Sequence, residues 1–238
     1  MSKKILIFGA TGSVGSSLTK LMKDYSIDTH IIGKDESEIS KLKDKTGFSH
    51  SIADVTDPSF IETVDKDLNG IEIAGIAYCV GSIDLKPLNL VSKKDYLKSF
   101  ELNLFPIIEI IKKFKDNLKK NKSSIVLFST VAVKQGFPNH SIISPVKASL
   151  EGLTVSLAAE LAPYVRINCI APSLSKSKMA GKILSNPKIA EGIAKQHPLK
   201  RLGEGSDSAS LARFLLSDES SWITGQIIGV DGGRSNVG

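Results

Sequence analysis

Hydrophobic positions along the chain fall into short unbroken runs that alternate with longer amphipathic segments. The short runs are rich in Ile, Val and Leu and end in glycine or polar residues, which is typical of strands buried on both faces. They predict strands at residues 4–8, 29–32, 49–53, 71–80, 125–128, 165–170 and 226–230. The longer segments repeat apolar residues every three or four positions. These predict helices at residues 13–23, 36–45, 59–68, 94–121 and 145–161.

The predicted helix over residues 94–121 carries two signals about its own geometry. Ser92 stands just before it and is suited to cap its beginning. Pro106 lies inside it and has no N–H to donate, so we expect a kink or a break near this residue.

The alternation of strands and helices predicts the fold class. Consecutive strands joined by helices form parallel pairs with right-handed crossovers, which place helices on both faces of the sheet. We therefore expect an α/β fold with a doubly wound (Rossmann-type) seven-stranded parallel sheet, in a single domain over residues 1–238. In such folds ligands bind at the carboxyl ends of the strands.

A glycine-rich turn follows the first predicted strand and leads into the first predicted helix. It reads Gly9-Ala10-Thr11-Gly12-Ser13-Val14-Gly15. Gly9 permits a tight turn, Gly12 and the amide of Ser13 let the backbone approach a pyrophosphate, and a third glycine lets the helix pack close to the strand. The exposed amides and the positive helix end then face the phosphates. This context indicates a dinucleotide site rather than a turn that binds nothing.

The end of the second predicted strand bears on the choice of cofactor. An acidic residue there binds the ribose 2′-hydroxyl of NAD, whereas a nearby cation accommodates the 2′-phosphate of NADP. Gly33 occupies the strand end and Lys34 follows it, which favours NADP(H) over NAD(H). Asp35 comes next, and it would favour NAD(H) if its side chain turned inward.

Composition places the chain among ordinary globular proteins. It has 238 residues, of which 41% are hydrophobic, enough to bury a substantial core. Its apolar runs are strand-sized, so we expect no membrane span, and the first residues lack the apolar region of a secretory signal, so we expect a cytoplasmic location. Cys79 and Cys169 lie inside apolar runs and predict buried free thiols. We find no metal-ligand spacing and expect no metal.

The chain is basic, with a formal net charge of +6. The excess comes mainly from lysines spread along helical segments, which is typical of solvated helix faces rather than of nucleic-acid binding. Attraction of an anionic cofactor or substrate is a sufficient use for a mild positive excess. We therefore expect a small-molecule substrate and no nucleic-acid partner.

Later segments carry further motifs at the ends of the predicted strands and in the tail. They are Asp54-Val55, Cys79-Val80-Gly81, Asn103, Ser129-Thr130, Lys147-Ala148-Ser149-Leu150, Arg166-Ile167-Asn168-Cys169-Ile170-Ala171-Pro172, Arg201-Leu202-Gly203, Phe214-Leu215-Leu216-Ser217, Ile223-Thr224-Gly225-Gln226 and Val230-Asp231-Gly232-Gly233. Together with the glycine-rich turn, this set resembles the short-chain dehydrogenase/reductase family over essentially the whole chain. The resemblance implies a nicotinamide cofactor and a homo-dimer or homo-tetramer.

The resemblance also implies roles for individual residues. Asp54 and Val55 would contact the adenine, and Gly81, in the stretch Cys79-Val80-Gly81, would let the backbone pass the adenine ribose. The residues that would contact the nicotinamide carboxamide are Pro172, Leu174 and Ser177.

The resemblance also implies three catalytic residues, one within the predicted helix over residues 94–121 and two after it. Lys147 would hold the nicotinamide ribose hydroxyls and supply positive charge. Asn103 would anchor a water in a proton relay, and Thr130 would hydrogen-bond a substrate carbonyl.

One position departs sharply from the family pattern. Ile143 stands four residues before Lys147, where the family has the tyrosine that donates a proton. Isoleucine can neither donate nor accept a proton, and a positioned general acid is worth about 10²–10⁴-fold in rate. Smaller departures are Cys79-Val80 in place of Asn-Ala, Ser173 in place of a glycine, and the order Gly12-Ser13 in the turn.

His140 is a candidate replacement for the missing proton donor. It lies seven residues before Lys147, a spacing that resembles that of the divergent enoyl reductases of the family. A histidine can transfer protons near neutral pH. The alternative is a loop histidine exposed to water. Ser141 and Ser144 are closer to the lysine in sequence but are poor acids.

The substrate pocket should be bounded by residues 82–90, 131–143 and 175–184. The residues that we expect to line it with apolar surface are Leu85, Phe137, Ile142 and Met179. The lysines that could attract an anionic substrate, or could equally be solvated, are Lys134, Lys176 and Lys178.

These observations leave several functions open. The first is an NADP-dependent oxidoreductase that transfers a hydride to or from a small carbonyl, hydroxyl or enoyl substrate, with an atypical proton donor. The alternative is a non-catalytic NADP(H)-binding sensor or oligomer partner on the same fold, and a different reaction on this scaffold is a third.

Overall fold

Seven parallel strands form one sheet in the computed structural model, which describes residues 3–237 apart from the side chain of Lys182. The strands are β1 Lys4–Phe8, β2 Thr29–Gly33, β3 Ser49–Ile52, β4 Ile73–Tyr78, β5 Ser124–Phe128, β6 Arg166–Pro172 and β7 Ile227–Val230. Their order is β3-β2-β1-β4-β5-β6-β7. The chain moves outward in one direction from β1 and in the other from β4, so a crevice opens where these two strands end.

Helices cover both faces of this sheet. They are α1 Ser13–Asp24, α2 Glu36–Thr46, α3 Phe60–Leu68, α4 Lys93–Asn103, α5 Phe105–Asn121, α6 Ile143–Leu161, α7 Gly181–Leu184, α8 Pro187–Lys195 and α9 Gly205–Leu216. The doubly wound sheet expected from the sequence is confirmed. No helix within residues 3–237 is long and apolar enough to cross a membrane.

The side chains of β1 show how one strand serves two cores. Leu6 and Phe8 belong to the core beneath α3, α5 and α6. Ile5 and Ile7 belong to the core beneath α1, α2 and α9. Because successive side chains of a strand point to opposite faces, a strand covered on both faces must be apolar throughout. This is why the strands appear in the sequence as unbroken hydrophobic runs.

The long helix expected over residues 94–121 is two helices, as the proline suggested. The break falls at Leu104, and Pro106 is in the first turn of α5, where a missing N–H costs little. The carbonyl of Leu102, four residues before the proline, accepts a hydrogen bond from the Tyr78 hydroxyl at 2.7 Å instead. Ser92 caps α4 by accepting from the backbone N–H of Asp95, as expected.

Several predicted boundaries were wrong, and three helices were not predicted. The apolar run over residues 71–80 extends beyond the hydrogen-bonded strand β4, whereas β6 continues to Pro172 and β7 begins at Ile227. Helix α6 begins at Ile143, two residues earlier than expected. The omission of α9 matters most, because its serine- and glycine-rich first half looks like a loop in the sequence although the helix forms much of the second core.

The beginning of α9 packs very closely against the beginning of α1. A Cβ on Gly205 would overlap the backbone carbonyl of Ser13. We expect Gly205→Ala to lower the free energy of unfolding by about 1–3 kcal/mol through overpacking. In contrast, a Cβ on Gly152 in α6 would meet nothing within 4 Å, so Gly152→Ala should be neutral or stabilising by about 0.5–1 kcal/mol. Urea unfolding of both variants checks this, and equal effects would contradict it.

Candidate active site

A cavity of about 470 Å³ lies at the carboxyl ends of the central strands. It is lined by the residues that follow β1, β4, β5 and β6, by the loop before α6, and by the chain around α7 and α8. The glycine-rich turn and Lys147 both reach it, although more than a hundred residues separate them in the sequence. This is the edge of the sheet where ligands bind in such folds.

The glycine-rich turn has the close approach that a phosphate site needs. Gly9 has a φ of 73°, a backbone conformation that favours glycine. A Cβ on Gly15 would overlap the carbonyl oxygen of Gly9, so only glycine lets α1 approach β1 this closely. Gly12 precedes the first residue of α1, and the turn directs the amides of that helix end into the cavity with Ser13 and Val14.

Lys147 is a buried cation at the centre of this edge. Its side chain is 7% exposed, and its Nζ donates a hydrogen bond to the carbonyl of Phe128 at 3.0 Å. Burial lowers the pKa of Lys147 to about 8, and the nearby Asp84 carboxylate partly opposes this effect. A lysine in this state holds a positive charge at neutral pH but releases it at mildly alkaline pH.

Gly81 passes between Lys147 and Asn103. A Cβ at this position would lie 3.0 Å from the Lys147 Nζ and 3.1 Å from the Asn103 Oδ1. The absence of a side chain at residue 81 therefore lets the Asn103 Oδ1 of α4 and the Lys147 Nζ of α6 lie close to each other. The structure brings these three residues together, as the resemblance implied.

Asn103 presents an acceptor with no partner among the described residues. The residue is fully buried, its Nδ2 donates to the Ser99 carbonyl at 2.8 Å, and its Oδ1 is left without a hydrogen bond. A buried acceptor without a partner is costly. Its position beside the Lys147 ammonium fits a site where a hydroxyl or a water completes the hydrogen bonding.

Asp84, which was not predicted from the sequence, stabilises the positions of Lys147 and Asn103. Asp84 accepts hydrogen bonds from Ser82 at 2.5 Å and from Ser99 at 2.9 Å. It ties the loop after β4 to α4, which positions Asn103. Its negative charge also stabilises the buried Lys147 ammonium. Only the fold brings these residues together, so the sequence carried no signal for them.

An apolar side chain occupies the position at which the resemblance implied a tyrosine. Ile143 is the first residue of α6, is 4% exposed, and lines the cavity. Thr130, at the end of β5, also lines it, and its Oγ1 accepts from the backbone N–H of Ala132 at 3.3 Å. That leaves the Thr130 hydroxyl free to donate.

His140 lies in the cavity lining and is partly buried. Its Nδ1 is 2.8 Å from the carbonyl oxygen of Pro138, which can only accept, so Nδ1 carries the proton. Its ring packs against Phe137, with 5.4 Å between ring centroids. The Nε2 atom is therefore the one through which this histidine could exchange a proton with a ligand.

The far end of the crevice holds the residues expected to bind the adenosine. Lys34 forms an ion pair with Asp54, with 3.5 Å between Nζ and Oδ2, and both line a neighbouring depression. Asp35 does not turn inward: its carboxylate caps α2 by accepting from the backbone N–H of Glu38 at 3.0 Å. Thr11 lies beside Gly33 at the end of β2. Val55 is buried in the core instead of lining the crevice.

The remaining expected cofactor residues reach the main cavity. Cys79, Val80, Pro172, Leu174 and Ser177 all line it. Burial raises the pKa of the Cys79 thiol to about 12, so this group stays protonated and is no nucleophile at neutral pH. The two cysteines are free thiols, as expected. Within residues 3–237, no three His, Cys, Asp or Glu side chains are grouped to hold a metal ion.

Some expectations for the substrate end were wrong. Leu85, Phe137 and Met179 line the cavity, but Ile142 faces the neighbouring depression instead. This happens because the turn into α6 directs Ile143, and not its neighbour, towards the cavity.

The three lysines expected near the substrate do not line the cavity. Lys176 and Lys178 form ion pairs with Glu204 and Glu38 at 3.2 Å each. Lys134 is exposed on the loop after β5.

A hydrogen-bonded serine–histidine pair lies at the cavity wall after β6 and was not predicted. Ser173 lines the cavity, and its Oγ is 2.8 Å from the Nε2 of His197, which is 1% exposed. The Nδ1 of His197 is 2.9 Å from the carbonyl oxygen of Ile193 and therefore carries the proton, so Ser173 donates to Nε2. The replacement of the family glycine by Ser173 was the only sequence signal for this pair.

Comparison with known proteins agrees with this geometry. Residues 9–235 match the family model described as enoyl-(acyl carrier protein) reductase. A chloroplastic tropinone reductase homologue of Arabidopsis thaliana is 31% identical over 97% of this chain and 74% of its own length. A 3-oxoacyl-(acyl carrier protein) reductase of Rickettsia typhi is 31% identical over 99% of this chain and 98% of its own length. The chain belongs to the short-chain dehydrogenase/reductase family, a family of oxidoreductases.

Solved structures show the same fold. An aldohexose dehydrogenase of Thermoplasma acidophilum superposes with a TM-score of 0.88 at 24% identity, covering 98% of this chain and 94% of that one. The protein ElxO with NADP bound superposes with a TM-score of 0.89 at 24% identity, covering 98% and 99%. This chain therefore has the same overall fold as these two proteins.

The buried ammonium predicts a pH-dependent stability. The pKa of Lys147 is about 8 in the folded chain and about 10.5 in an unfolded one. Between these values the unfolded state binds a proton that the folded state does not, so stability rises with pH. The free energy of unfolding of the wild type relative to Lys147→Met should therefore rise by up to about 3 kcal/mol from pH 8 to pH 10.5.

Urea unfolding at a series of pH values measures this difference. Lys113→Met is the matched control, because Lys113 is exposed and its ion pair with Asp65 raises its pKa. The same comparison for Lys113 should show no gain over this pH range. If the difference in free energy of unfolding between the wild type and Lys147→Met does not change with pH, the ammonium is not buried as described.

Proposed function

We propose that this protein is an NADP-dependent oxidoreductase that transfers a hydride to or from a small carbonyl, hydroxyl or enoyl substrate. The observation that supports this most strongly is that Lys147 and Asn103 meet at Gly81, beside the cavity that the glycine-rich turn enters. Cofactor binding alone would account for Lys147, but it would not account for the buried, partnerless acceptor of Asn103 beside it.

A bound nicotinamide dinucleotide would supply the hydride. The residues that would hold it are the glycine-rich turn at the pyrophosphate, Asp54 at the adenine, Gly81 at the ribose, and Pro172, Leu174 and Ser177 at the carboxamide. Lys147 would hold the nicotinamide ribose hydroxyls and offset negative charge that develops on the substrate oxygen. Thr130, with a hydroxyl free to donate into the cavity, would orient the substrate carbonyl.

The preference for NADP(H) is supported by two side chains at the end of β2. Lys34 is exposed beside the strand end, where it can reach a 2′-phosphate without losing a buried contact. The carboxylate of Asp35 is used to cap α2, so it is not the acid that would bind a ribose 2′-hydroxyl.

Replacement of Lys34 tests this preference. A charge-assisted contact to phosphate is worth about 1.5–3 kcal/mol, so Lys34→Ala should weaken NADPH binding by about 10–150-fold and leave NADH binding nearly unchanged. Lys41→Ala is the matched control, since Lys41 is an exposed lysine on α2, the helix that follows Lys34. Calorimetric titration of the three proteins with NADPH and with NADH measures these affinities. Wild-type binding of NADH that equals or exceeds that of NADPH would contradict the proposal.

His140 is the proposed proton donor in place of the tyrosine. It lines the same cavity as Thr130 and Lys147, and its Nε2 is the ring nitrogen available to a ligand. Imidazolium is an acid strong enough to protonate an alkoxide at neutral pH. The proton would move from the imidazolium Nε2 to the substrate oxygen as the hydride reaches the carbon.

Removal of this group should lower turnover without affecting cofactor binding. We expect His140→Ala to reduce kcat by about 10²-fold while NADPH affinity stays within a few-fold of the wild type. His50→Ala, on β3 and outside the cavity, should keep wild-type kcat. Steady-state assays against carbonyl and enoyl compounds provide the measurement. An unchanged kcat in His140→Ala would exclude this donor.

The rival function is a non-catalytic NADP(H)-binding sensor or oligomer partner. The observation that favours it is the closed apolar surface at Ile143, where the family has its proton donor. In that case the wild type would bind cofactor and turn over no substrate.

We further propose a homo-dimer or homo-tetramer. Large apolar side chains on the outer surfaces of α4, α5 and α6 are exposed: Leu97 at 46%, Phe105 at 44% and Val155 at 53%. Several large exposed apolar side chains on neighbouring helices are the kind of surface that an interface would cover, and light scattering measures the assembly directly. The cytoplasmic location expected from the sequence stays a prediction.

A further inference from the structure

The side chain of Arg234 reaches into the substrate end of the cavity from the chain that follows β7. Its Nη2 donates a hydrogen bond to the side-chain oxygen of Gln196 at 2.6 Å. The guanidinium carbon lies 4.9 Å from the centre of the Phe137 ring. These two contacts orient the planar group in the cavity wall.

One nitrogen of this guanidinium is buried without a hydrogen-bond acceptor. The Nη1 of Arg234 has no hydrogen-bond partner among the residues that the structure describes. A guanidinium carries its charge at every accessible pH. The group therefore stays charged where it is buried, which is energetically unfavourable without a hydrogen-bond acceptor. A ligand acceptor would remove that cost.

The charge of Arg234 is also without an ion pair, whereas two other arginines of the described chain are paired with carboxylates. Arg201 pairs with Asp207 at 2.7 Å and Arg213 with Glu219 at 2.9 Å. No carboxylate of residues 3–237 forms an ion pair with Arg234. The acid nearest in sequence, Asp231, accepts from the backbone N–H of Gly233 and from Ser235.

The surroundings of this cation are apolar. Phe137, Met179, Ile183 and Ile193 line the same end of the cavity. The lysines nearby cannot take its place, because Lys176 and Lys178 are bound to glutamates outside the cavity. A single unmatched cation in an apolar wall favours a ligand with one negative charge attached to a hydrocarbon chain.

We propose that Arg234 binds a carboxylate of the substrate, so that the substrate is an oxo acid or the corresponding hydroxy acid. The hydrocarbon chain lies along Phe137 and Met179, the carboxylate accepts from the Nη1 of Arg234, and the reacting carbonyl lies towards Thr130 and Lys147. This assignment rests on the proposed oxidoreductase function only for the reacting carbonyl. The anion site itself rests on the cavity and its unmatched guanidinium.

Binding of unreactive ligands tests the anion site without any turnover. Calorimetry of the NADPH-saturated protein with hexanoate and with hexanamide compares a carboxylate with its neutral counterpart. The wild type should bind hexanoate about 10–100-fold more tightly than hexanamide. Arg234→Met should lose this preference and keep its affinity for hexanamide, while Arg234→Lys should keep part of the preference.

Two comparisons distinguish a carboxylate site from a phosphate site and from a purely structural arginine. Arg213→Met is the matched control, because Arg213 also stacks on an aromatic ring, that of Tyr25, but lies outside the cavity. It should keep the wild-type preference. Butyl phosphate provides the second comparison, and binding tighter than that of hexanoate would overturn the assignment to a carboxylate. If Arg234→Met weakens hexanoate and hexanamide equally, Arg234 only anchors the C-terminal segment and the proposal is wrong.

Turnover then tests the substrate class separately. A series of straight-chain oxo acids and their methyl esters is assayed for NADPH oxidation. The acids should have a KM at least about 10-fold below that of their esters, and Arg234→Met should remove the difference. Reduction of esters and acids with equal KM would overturn the substrate assignment. A hexanoate preference without reduction of any compound would retain the anion site and reject the oxidoreductase function.

Discussion

The burial of the Lys147 ammonium is the interaction on which the architecture of this site depends. Removing a cation from water is costly unless the surroundings offer dipoles and charge. Here the Phe128 carbonyl accepts a hydrogen bond from the Lys147 Nζ at 3.0 Å. The negative charge of the Asp84 carboxylate stabilises the ammonium electrostatically. Gly81 has to remain without a side chain so that the lysine and Asn103 can meet. Asn103 in turn is the last residue of α4, just before the break at Leu104. Lys147, Gly81 and Asn103 therefore depend on one another for their positions.

Much of the fold follows from local properties of the sequence. Strands covered on both faces must be apolar at every position, and this made them visible as uninterrupted runs. The glycines of the first turn are required by close backbone contacts, so they indicated both the turn and its function. Pro106 had a purely local consequence, the end of one helix and the start of another, and that was predicted. Helix α9 was missed because its stability comes from packing against α1 and the sheet, and its own serines and glycine do not favour a helix.

The substrate end of the cavity depends instead on contacts between distant parts of the chain. Arg234 meets Phe137 and Gln196 only because the chain after β7 folds back over the strand ends. Ser173 meets His197 for a similar reason. Ile142 was expected to line the cavity but faces the neighbouring depression, whereas Ile143 lines the cavity. In the sequence the lysines were the visible cations, yet two of them are bound to glutamates, and the unmatched charge belongs to an arginine in the tail.

The central claim is that this site still transfers a hydride although isoleucine has replaced the tyrosine. Single-turnover mixing of the protein with NADPH deuterated at the transferred position and a panel of oxo acids, followed by mass spectrometry of the products, measures that transfer directly. The account predicts that the wild type delivers one deuterium to the carbonyl carbon of at least one acid. If the wild type binds NADPH but transfers no deuterium, while Ile143→Tyr transfers it, the native protein is a cofactor-binding protein without turnover and the account is contradicted.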